Sequence, residues 1–281
     1  MTLATAQLKL PPKAMIGMVH VRALPGVPAC ALALDQTVEL AATEAGELAR
    51  AGFDAIIIEN MHDRPYLLGD VGPEITASMT AAAIAVRRAV GCPLGVQVLA
   101  GANRQALAVA LAGGADFIRA EGFVFSHVAD EGVFATADAG RLLRYRKMIG
   151  AEHIAVIADI KKKHSSHAIT SDVDLAETAR AAQFFGADGV VVTGTATATP
   201  ARVEDVRDAS TAIQIPTWVG SGVTPENLPD LWPHADAFIV GSYIKKNGAW
   251  DQPLDGERIT KLLEAARRTD SLKSPTDSPA R

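Results

Sequence analysis

The sequence predicts a single (β/α)8 barrel, and three observations carry that expectation. Eight apolar runs rich in β-branched residues alternate with helical patterns along 281 residues, the usual size of one such barrel. The helix-to-strand junctions repeat: Ala51-Gly52-Phe53-Asp54-Ala55, Gly113-Gly114-Ala115-Asp116-Phe117 and Gly186-Ala187-Asp188-Gly189 each supply a glycine stop, an aspartate turn and a strand start. Near the C-terminus, two consecutive strands end alike, at Gly220-Ser221-Gly222 and Gly241-Ser242. A doubly wound open sheet is the competing architecture. It puts its glycine-rich turn after the first strand, whereas here such turns come last.

The elements follow in order. The first strand is expected over Met15 to His20, before an irregular loop holding Pro25-Gly26 and Pro28. Asp35 is a fitting N-cap for a helix to Arg50, stopped by Gly52. The second strand, Ala55 to Glu59, leads into a long polar loop and a helix from Pro73 to Val90, ended by Gly91. Leu94 to Leu99 is the third strand, and Asn103 to Ala112 its helix. The fourth strand, Phe117 to Ala120, is followed by a long loop through Asp130 and a helix from about Ala137 to Ile149. Ile154 to Asp159 is the fifth strand; a loop from Ile160 to Ser171 precedes a helix from Asp174 to Phe185. The sixth strand, Gly189 to Thr193, pairs with a helix over Val203 to Ala212. Thr217 to Val219 and Ala237 to Val240 are the seventh and eighth strands, with helices over Pro225 to Leu231 and Gly256 to Arg268. The expected division is an N-terminal extension (1–14), the barrel (15–269) and a disordered tail (270–281) rich in Ser, Pro and Thr.

Composition narrows the function classes. Hydrophobic residues make up 48% and charged residues 21%, enough apolar content for a substantial core. A net charge of −5 argues against nucleic-acid binding by bulk electrostatics. An anionic ligand would need a local site of backbone amides and a few cations. Cys30 and Cys92 have no metal-ligand spacing and read as small apolar residues of a reducing compartment. No run reaches the roughly 18 apolar residues of a membrane span, and the first residues lack a secretory pattern. The expected location is the cytoplasm. A homo-oligomer is a common outcome for such barrels.

Barrel chemistry sits where strands end, and the polar residues of this chain fall there. The Gly220, Ser221, Gly222, Gly241 and Ser242 turns resemble the phosphate cradle after the last two strands of phosphate-binding barrels, with Thr224 as the N-cap and Pro225 as the first residue of a nearby helix. Elsewhere, strand ends supply His20, Glu59, Asn60, Gln97, Arg119, Glu121, Asp159 and Thr193. Asp159 and Lys161 are two residues apart and share a face if the strand continues, as an ion pair or as an acid/base and oxyanion-stabilising pair. Lys162 is expected to point away. Lys163 and His164 suit an anionic substrate. Arg119 and Glu121 share a face, either as a salt bridge or for substrate. Glu59, His62 and Asp63, with His20, offer oxygen and imidazole ligands for a divalent metal such as Mg2+ or Zn2+, without a specific motif.

Six stretches together resemble the BtpA/SgcQ family: Ile58-Glu59-Asn60-Met61-His62-Asp63 with Pro65-Tyr66; Gly95 to Asn103; Phe117-Ile118-Arg119-Ala120-Glu121-Gly122-Phe123; Ala158 to His167; Val192-Thr193-Gly194-Thr195; and Val219 to Thr224. The likeness runs from about Met15 to Arg268. It implies a barrel of the ribulose-phosphate-binding type. The family takes its name from a cyanobacterial member linked to photosystem I biogenesis, and other members occur in sugar-metabolism gene clusters. The resemblance assigns no catalytic roles.

The residues therefore lead to an enzyme acting on a small phosphorylated sugar or nucleotide-derived phosphate. Asp159 or Glu59 would transfer the proton and Lys161 would stabilise an enediolate or oxyanion, as in an isomerase, epimerase or aldol-type lyase. A metal-assisted hydrolase would use the same carboxylates differently. The alternative of another class is a non-catalytic biogenesis factor that binds a phosphorylated metabolite.

Overall fold

The computed structural model describes residue 6 and residues 8–273. Eight parallel strands close into a barrel: β1 (Ala14–His20), β2 (Ala55–Glu59), β3 (Leu94–Gln97), β4 (Phe117–Ala120), β7 (Ala155–Ile160), β9 (Gly189–Val192), β10 (Thr217–Val219) and β11 (Ala237–Val240), with β1 hydrogen-bonded to β11. The helices are α1 (Leu34–Ala51), α2 (Pro73–Ala89), α3 (Asn103–Gly113), α4 (Ala139–Met148), α5 (Leu175–Phe184), α6 (Val203–Ala212), α7 (Leu228–Leu231) and α8 (Gly256–Lys273). None is long and apolar enough to cross a membrane. The predicted barrel is the observed one.

Side chains alternate along each strand, so every second residue enters the barrel. Its interior is filled by Ile16, Met18, Ile57, Phe117, Ile157 and Trp218 among others. Phe117 and Trp218 meet edge to face at 5.3 Å between ring centroids. The Phe117 ring lies where a side chain on Gly95 would be; a Cβ there would come within 2.2 Å of it. From the expected N-terminal extension, Ala6, Leu8 and Leu10 pack against this interior cluster.

The repeated junction aspartates have a common task. Asp54 accepts a hydrogen bond from Met15 N, Asp116 from Leu94 N and Asp188 from Val156 N, each at 2.8 Å. Asp236 does the same for Thr217 N, also at 2.8 Å. Each ties the start of one strand to its neighbour, using an N–H that lies below the strand ladder and would otherwise lack a partner. The fourth junction has no glycine, which is why the sequence repeat did not reveal it.

Several expected boundaries move. Leu34 opens α1 after Ala33, so Asp35 is not the N-cap but lies in the first turn, where it accepts from Gln36 N at 2.9 Å. Gly52 ends α1 in the left-handed conformation as expected, whereas α2 ends at Val90 in extended backbone. The third strand stops at Gln97. The two long loops are not irregular: β5 (His127–Ala129), β6 (Gly132–Phe134) and β8 (Ser165–Ser166) form a small antiparallel sheet above the barrel. Their shortness hides them from periodicity. Helix α7 starts only at Leu228. Thr224 and Asn227 instead bond each other across a turn, at 2.9 and 3.4 Å. Of the expected tail, 270–273 continue α8 and 274–281 lie outside the described residues.

Phe117→Ala would leave a cavity in the middle of the barrel. The expected loss is about 3–5 kcal/mol of unfolding free energy, read as a shift in urea midpoint at unchanged slope. A loss below about 1 kcal/mol would mean that Phe117 does not fill the interior.

Candidate active site

The alternation that fills the barrel with apolar side chains carries polar ones into its top layer. His20, Glu59, Gln97, Arg119 and Asp159 stand at the C-terminal ends of five neighbouring strands, all buried. Buried charges must pair, and these do so selectively. Arg119 donates from Nε to Asp159 Oδ1 at 2.8 Å and from its terminal nitrogen to Oδ2 at 3.0 Å. Both side chains are almost fully enclosed, at 3% and 1% exposure. Burial opposes the Arg119 charge, but the Asp159 carboxylate outweighs it and holds the Arg119 pKa above its ordinary value. Asp159 is therefore the fixed counter-ion of Arg119, which corrects both expected pairings: Asp159 with Lys161, and Arg119 with Glu121.

The lysine run also departs from expectation, for a backbone reason. Lys161 has φ of +46°, a left-handed conformation that ends strand alternation. Its ammonium turns away and donates to Thr170 O at 3.3 Å. Lys162 turns inward instead, lying 3.3 Å from Glu121 and 3.4 Å from Glu131 and 4.9 Å from the centre of the Phe134 ring. Burial would lower its pKa, but the two glutamates raise it, so Lys162 is a charged structural centre. Glu121 also accepts from Gly101 N at 2.8 Å, and burial raises its pKa.

Two groups at the mouth stay unpaired. Among the described residues, neither the buried Glu59 carboxyl nor the half-buried Lys163 ammonium has a hydrogen bond or ion pair. Burial raises the Glu59 pKa above the carboxylate norm. Burial, and then the charge of Arg119, lowers that of Lys163.

Both groups open onto a cleft with two lobes. One is lined by Gly220, Ser221, Gly222, Gly241 and Ser242. Among the described residues, the N–H groups of Ser221, Gly222, Gly241 and Ser242 have no acceptor. Free amides around one cavity make an anion site. Arg258, at the start of α8, lines the same lobe; it donates from Nε to Tyr243 O and lies 4.3 Å over the Tyr243 ring. Gly222 has φ of +62°, and a Cβ on it would meet Pro200 N at 2.4 Å. The other lobe is lined by Tyr66, Gln97, Leu99, Glu131 and Trp250. Glu59, Arg119, Lys163 and Thr197 line both lobes and so stand between them.

The remaining expected residues are placed as follows. Ser221 presents its backbone to the cleft; its hydroxyl accepts from Gly194 N and donates to Thr199 O, both at 2.8 Å. Gln97 faces the second lobe with Oε1 buried and unpartnered. Thr193 is buried without a partner for its hydroxyl and lines neither lobe. Asn60 is structural, donating to Asp63 at 2.9 Å and accepting from Leu99 N at 2.7 Å. His164 holds Thr197, with Nε2 2.9 Å from its Oγ1.

The expected metal quartet is not assembled. Asp63 accepts from Leu24 N and from Asn60. His62 packs on Trp250 at 4.8 Å, and burial, then Arg22, lower its pKa to about 4. His20 bonds Trp250 O at 2.9 Å. Among the described residues, no three His, Cys, Asp or Glu side chains are arranged to hold a metal ion.

Arg258, Lys162, Tyr66, Thr197 and Trp250 were missed. Arg258 had a signal: a helix start after the last strand faces the mouth of a barrel. Trp250 lies in an irregular loop whose path no local pattern gives.

Asp159→Ala would strand the Arg119 charge in the barrel. We expect a cost of about 3–5 kcal/mol. Replacing both residues, as Arg119→Leu with Asp159→Ala, should recover much of it in chemical denaturation. A loss in the double variant equal to the sum of the losses in Arg119→Leu and Asp159→Ala alone would show that the pair is not coupled.

The comparisons with known proteins agree with this architecture. The BtpA family model matches residues 11–268. An uncharacterized protein of Caenorhabditis elegans, named as mitochondrial, is 46% identical over 255 residues, covering 89% of this chain and 91% of the relative. The photosystem I biogenesis protein BtpA of Synechocystis is 32% identical over 271 residues, covering 95% of this chain and 93% of its own. Among solved structures, (S)-3-O-geranylgeranylglyceryl phosphate synthase from Thermoplasma acidophilum, in complex with sn-glycerol-1-phosphate, is similar over 92% of this chain and 94% of its own, with a TM-score of 0.58 and 17% identity. At that identity the likeness concerns the fold. The family match over nearly the whole barrel, with relatives of matching length, shows that the chain belongs to the BtpA family.

Proposed function

We propose that this barrel is an enzyme that moves a proton at a carbon next to a carbonyl, in a small phosphorylated sugar or nucleotide-derived phosphate. Isomerases, epimerases and aldol-type lyases share that step. The observation that carries the reading is one cleft holding both a ring of free amides and an unpaired Glu59 and Lys163. The phosphate lies against the amides of Ser221, Gly222, Gly241 and Ser242, with Arg258 as its cation. The carbonyl end reaches the divide between the lobes. Glu59 takes the proton there, and Lys163 faces the carbonyl that must take up the resulting electron pair. Arg119 is held by Asp159 and shapes the field without exchanging protons. Of the expected metal ligands, His20, His62 and Asp63 are engaged elsewhere, so no step of this scheme passes through a metal.

The Synechocystis relative's name favours a second reading, a non-catalytic biogenesis factor that binds a phosphorylated metabolite. Both readings use the cradle; only the first uses Glu59. We also propose a homo-oligomer in the cytoplasm, the two free cysteines fitting a reducing compartment.

A ligand at 100 times its Kd adds about 2.7 kcal/mol of stability. Inorganic phosphate and sugar phosphates should therefore raise the thermal midpoint of the wild type and leave Gly222→Val unmoved. Equal shifts in both proteins would place the anion outside the cradle.

Turnover is tested by deuterium uptake from D2O at the carbon next to the carbonyl, across phosphorylated aldoses and ketoses. The base must be ionised, so uptake should climb as pH rises through the elevated Glu59 pKa and vanish below it. Glu59→Gln should slow it by roughly 10²–10⁴. Uptake that is absent while phosphate still binds would favour the non-catalytic reading.

A further inference from the structure

We infer that Lys163 is a covalent catalyst, forming an imine with the carbonyl carbon of a phosphorylated aldehyde or ketone bound in the amide-lined lobe. The inference rests on the reading of that lobe as a phosphate site and names the form in which the carbonyl is activated.

The first support is what distinguishes this lysine from its neighbours. Lys161 bonds Thr170 O outside the cleft. Lys162 is fixed between Glu121 and Glu131. Lys245 is buried against Glu44 and lines neither lobe. Lys163 alone among the described lysines stands on the wall common to both lobes, with its nitrogen unbonded. A lysine used only as a fixed charge gains from a carboxylate partner, as Lys162 does. A nucleophile needs a free lone pair and an approach to the carbonyl.

The second support is the company it keeps. Glu59 is also unbonded and lines the same wall. Imine formation needs an acid that then acts as a base. Burial raises the Glu59 pKa and so favours its protonated form, while burial and then the Arg119 charge lower that of Lys163 and favour its neutral form.

The step balances as follows. The Lys163 Nζ lone pair attacks the carbonyl carbon, and the C=O π pair moves onto oxygen. Glu59 gives that oxygen its proton, making the carbinolamine. The Glu59 carboxylate then takes a proton from nitrogen and returns it to the hydroxyl. The C–O bond breaks, water leaves, and the nitrogen lone pair completes a protonated imine. Glu59 ends as a carboxylate, ready to take the proton from the adjacent carbon. The imine's positive charge accepts the resulting electron pair.

Pyridoxal 5′-phosphate, an aldehyde carrying a phosphate, is a suitable probe, with pyridoxal as its phosphate-free control. The protein is treated with each, the imine is followed by its absorbance, and adducts are reduced with borohydride and mapped to peptides. We expect pyridoxal 5′-phosphate to modify Lys163 before any exposed lysine, roughly tenfold or more faster than pyridoxal, with inorganic phosphate competing. Lys163→Arg should lose this adduct and keep the phosphate-induced thermal shift. Glu59→Gln should slow appearance of the imine without changing the site modified. Label confined to other lysines, or Lys163→Arg reacting at the wild-type rate, would overturn the inference. If both aldehydes modify Lys163 equally fast, the nucleophile stands and the phosphate reading of the lobe fails.

Discussion

A closed barrel of parallel strands admits one inward side chain for every two residues, and that constraint governs the whole molecule. In the lower layers the positions are filled by Ile16, Ile57, Phe117, Ile157 and Trp218. In the top layer they are filled by His20, Glu59, Gln97, Arg119 and Asp159. A buried ion costs several kcal/mol unless it is paired and hydrogen-bonded. The layer meets that cost by matching Arg119 to Asp159 through two bonds, and just above it Lys162 to Glu121 and Glu131. Those matches use most of the charge at the mouth. The two groups left over, Glu59 and Lys163, are the ones whose burial brings the fold no compensating bond.

The two ends of the barrel divide the work. At the bottom, Asp54, Asp116, Asp188 and Asp236 each satisfy a backbone N–H of a neighbouring strand. At the top the corresponding need is left unmet: four N–H groups around the amide-lined lobe have no acceptor among the described residues. Unsatisfied polar groups are rare in native structures, and the same backbone chemistry has opposite meanings at the two mouths. Below, it joins strands. Above, on the proposed reading, it is left for an anion. The Ser221 hydroxyl keeps the amides in place by bridging Gly194 and Thr199, so the cradle is rigid before anything binds.

The fold was legible because it repeats. Eight strands, most helices and the cradle glycines follow from period, glycine stops and paired strand ends. The identity of the polar layer was legible for the same reason, since the inward positions of a strand are known once its phase is known. Its pairing was not. Arg119 and Asp159 are on adjacent strands 40 residues apart in the chain, and within-strand spacing pointed to Glu121 and Lys161 instead. The lysine run failed at one residue: a left-handed turn at Lys161 exchanges the directions of its neighbours, and nothing in Lys-Lys-Lys shows which of the three will turn. The proposed metal ligands failed because a loop can use His and Asp to hold itself, as Asp63 holds Leu24 and Asn60.

Glu59 and Lys163 are shifted in opposite directions by one cause. Burial disfavours both charged forms, raising the carboxyl and lowering the amine. Their proton affinities therefore approach each other, and each unit of approach removes about 1.4 kcal/mol from the cost of passing a proton between them. An arriving phosphate works against this. Its negative charge would raise both pKa values and favour the ammonium form of Lys163. That effect weakens with distance and with local compensation. The cleft supplies both, because the amides and Arg258 lie in one lobe while Glu59 and Lys163 stand at its boundary with the next. On the proposed reading an anion would be neutralised where it binds, so the charge that gives affinity need not disable the amine. A barrel that placed its nucleophile against the phosphate itself would have to give up one for the other.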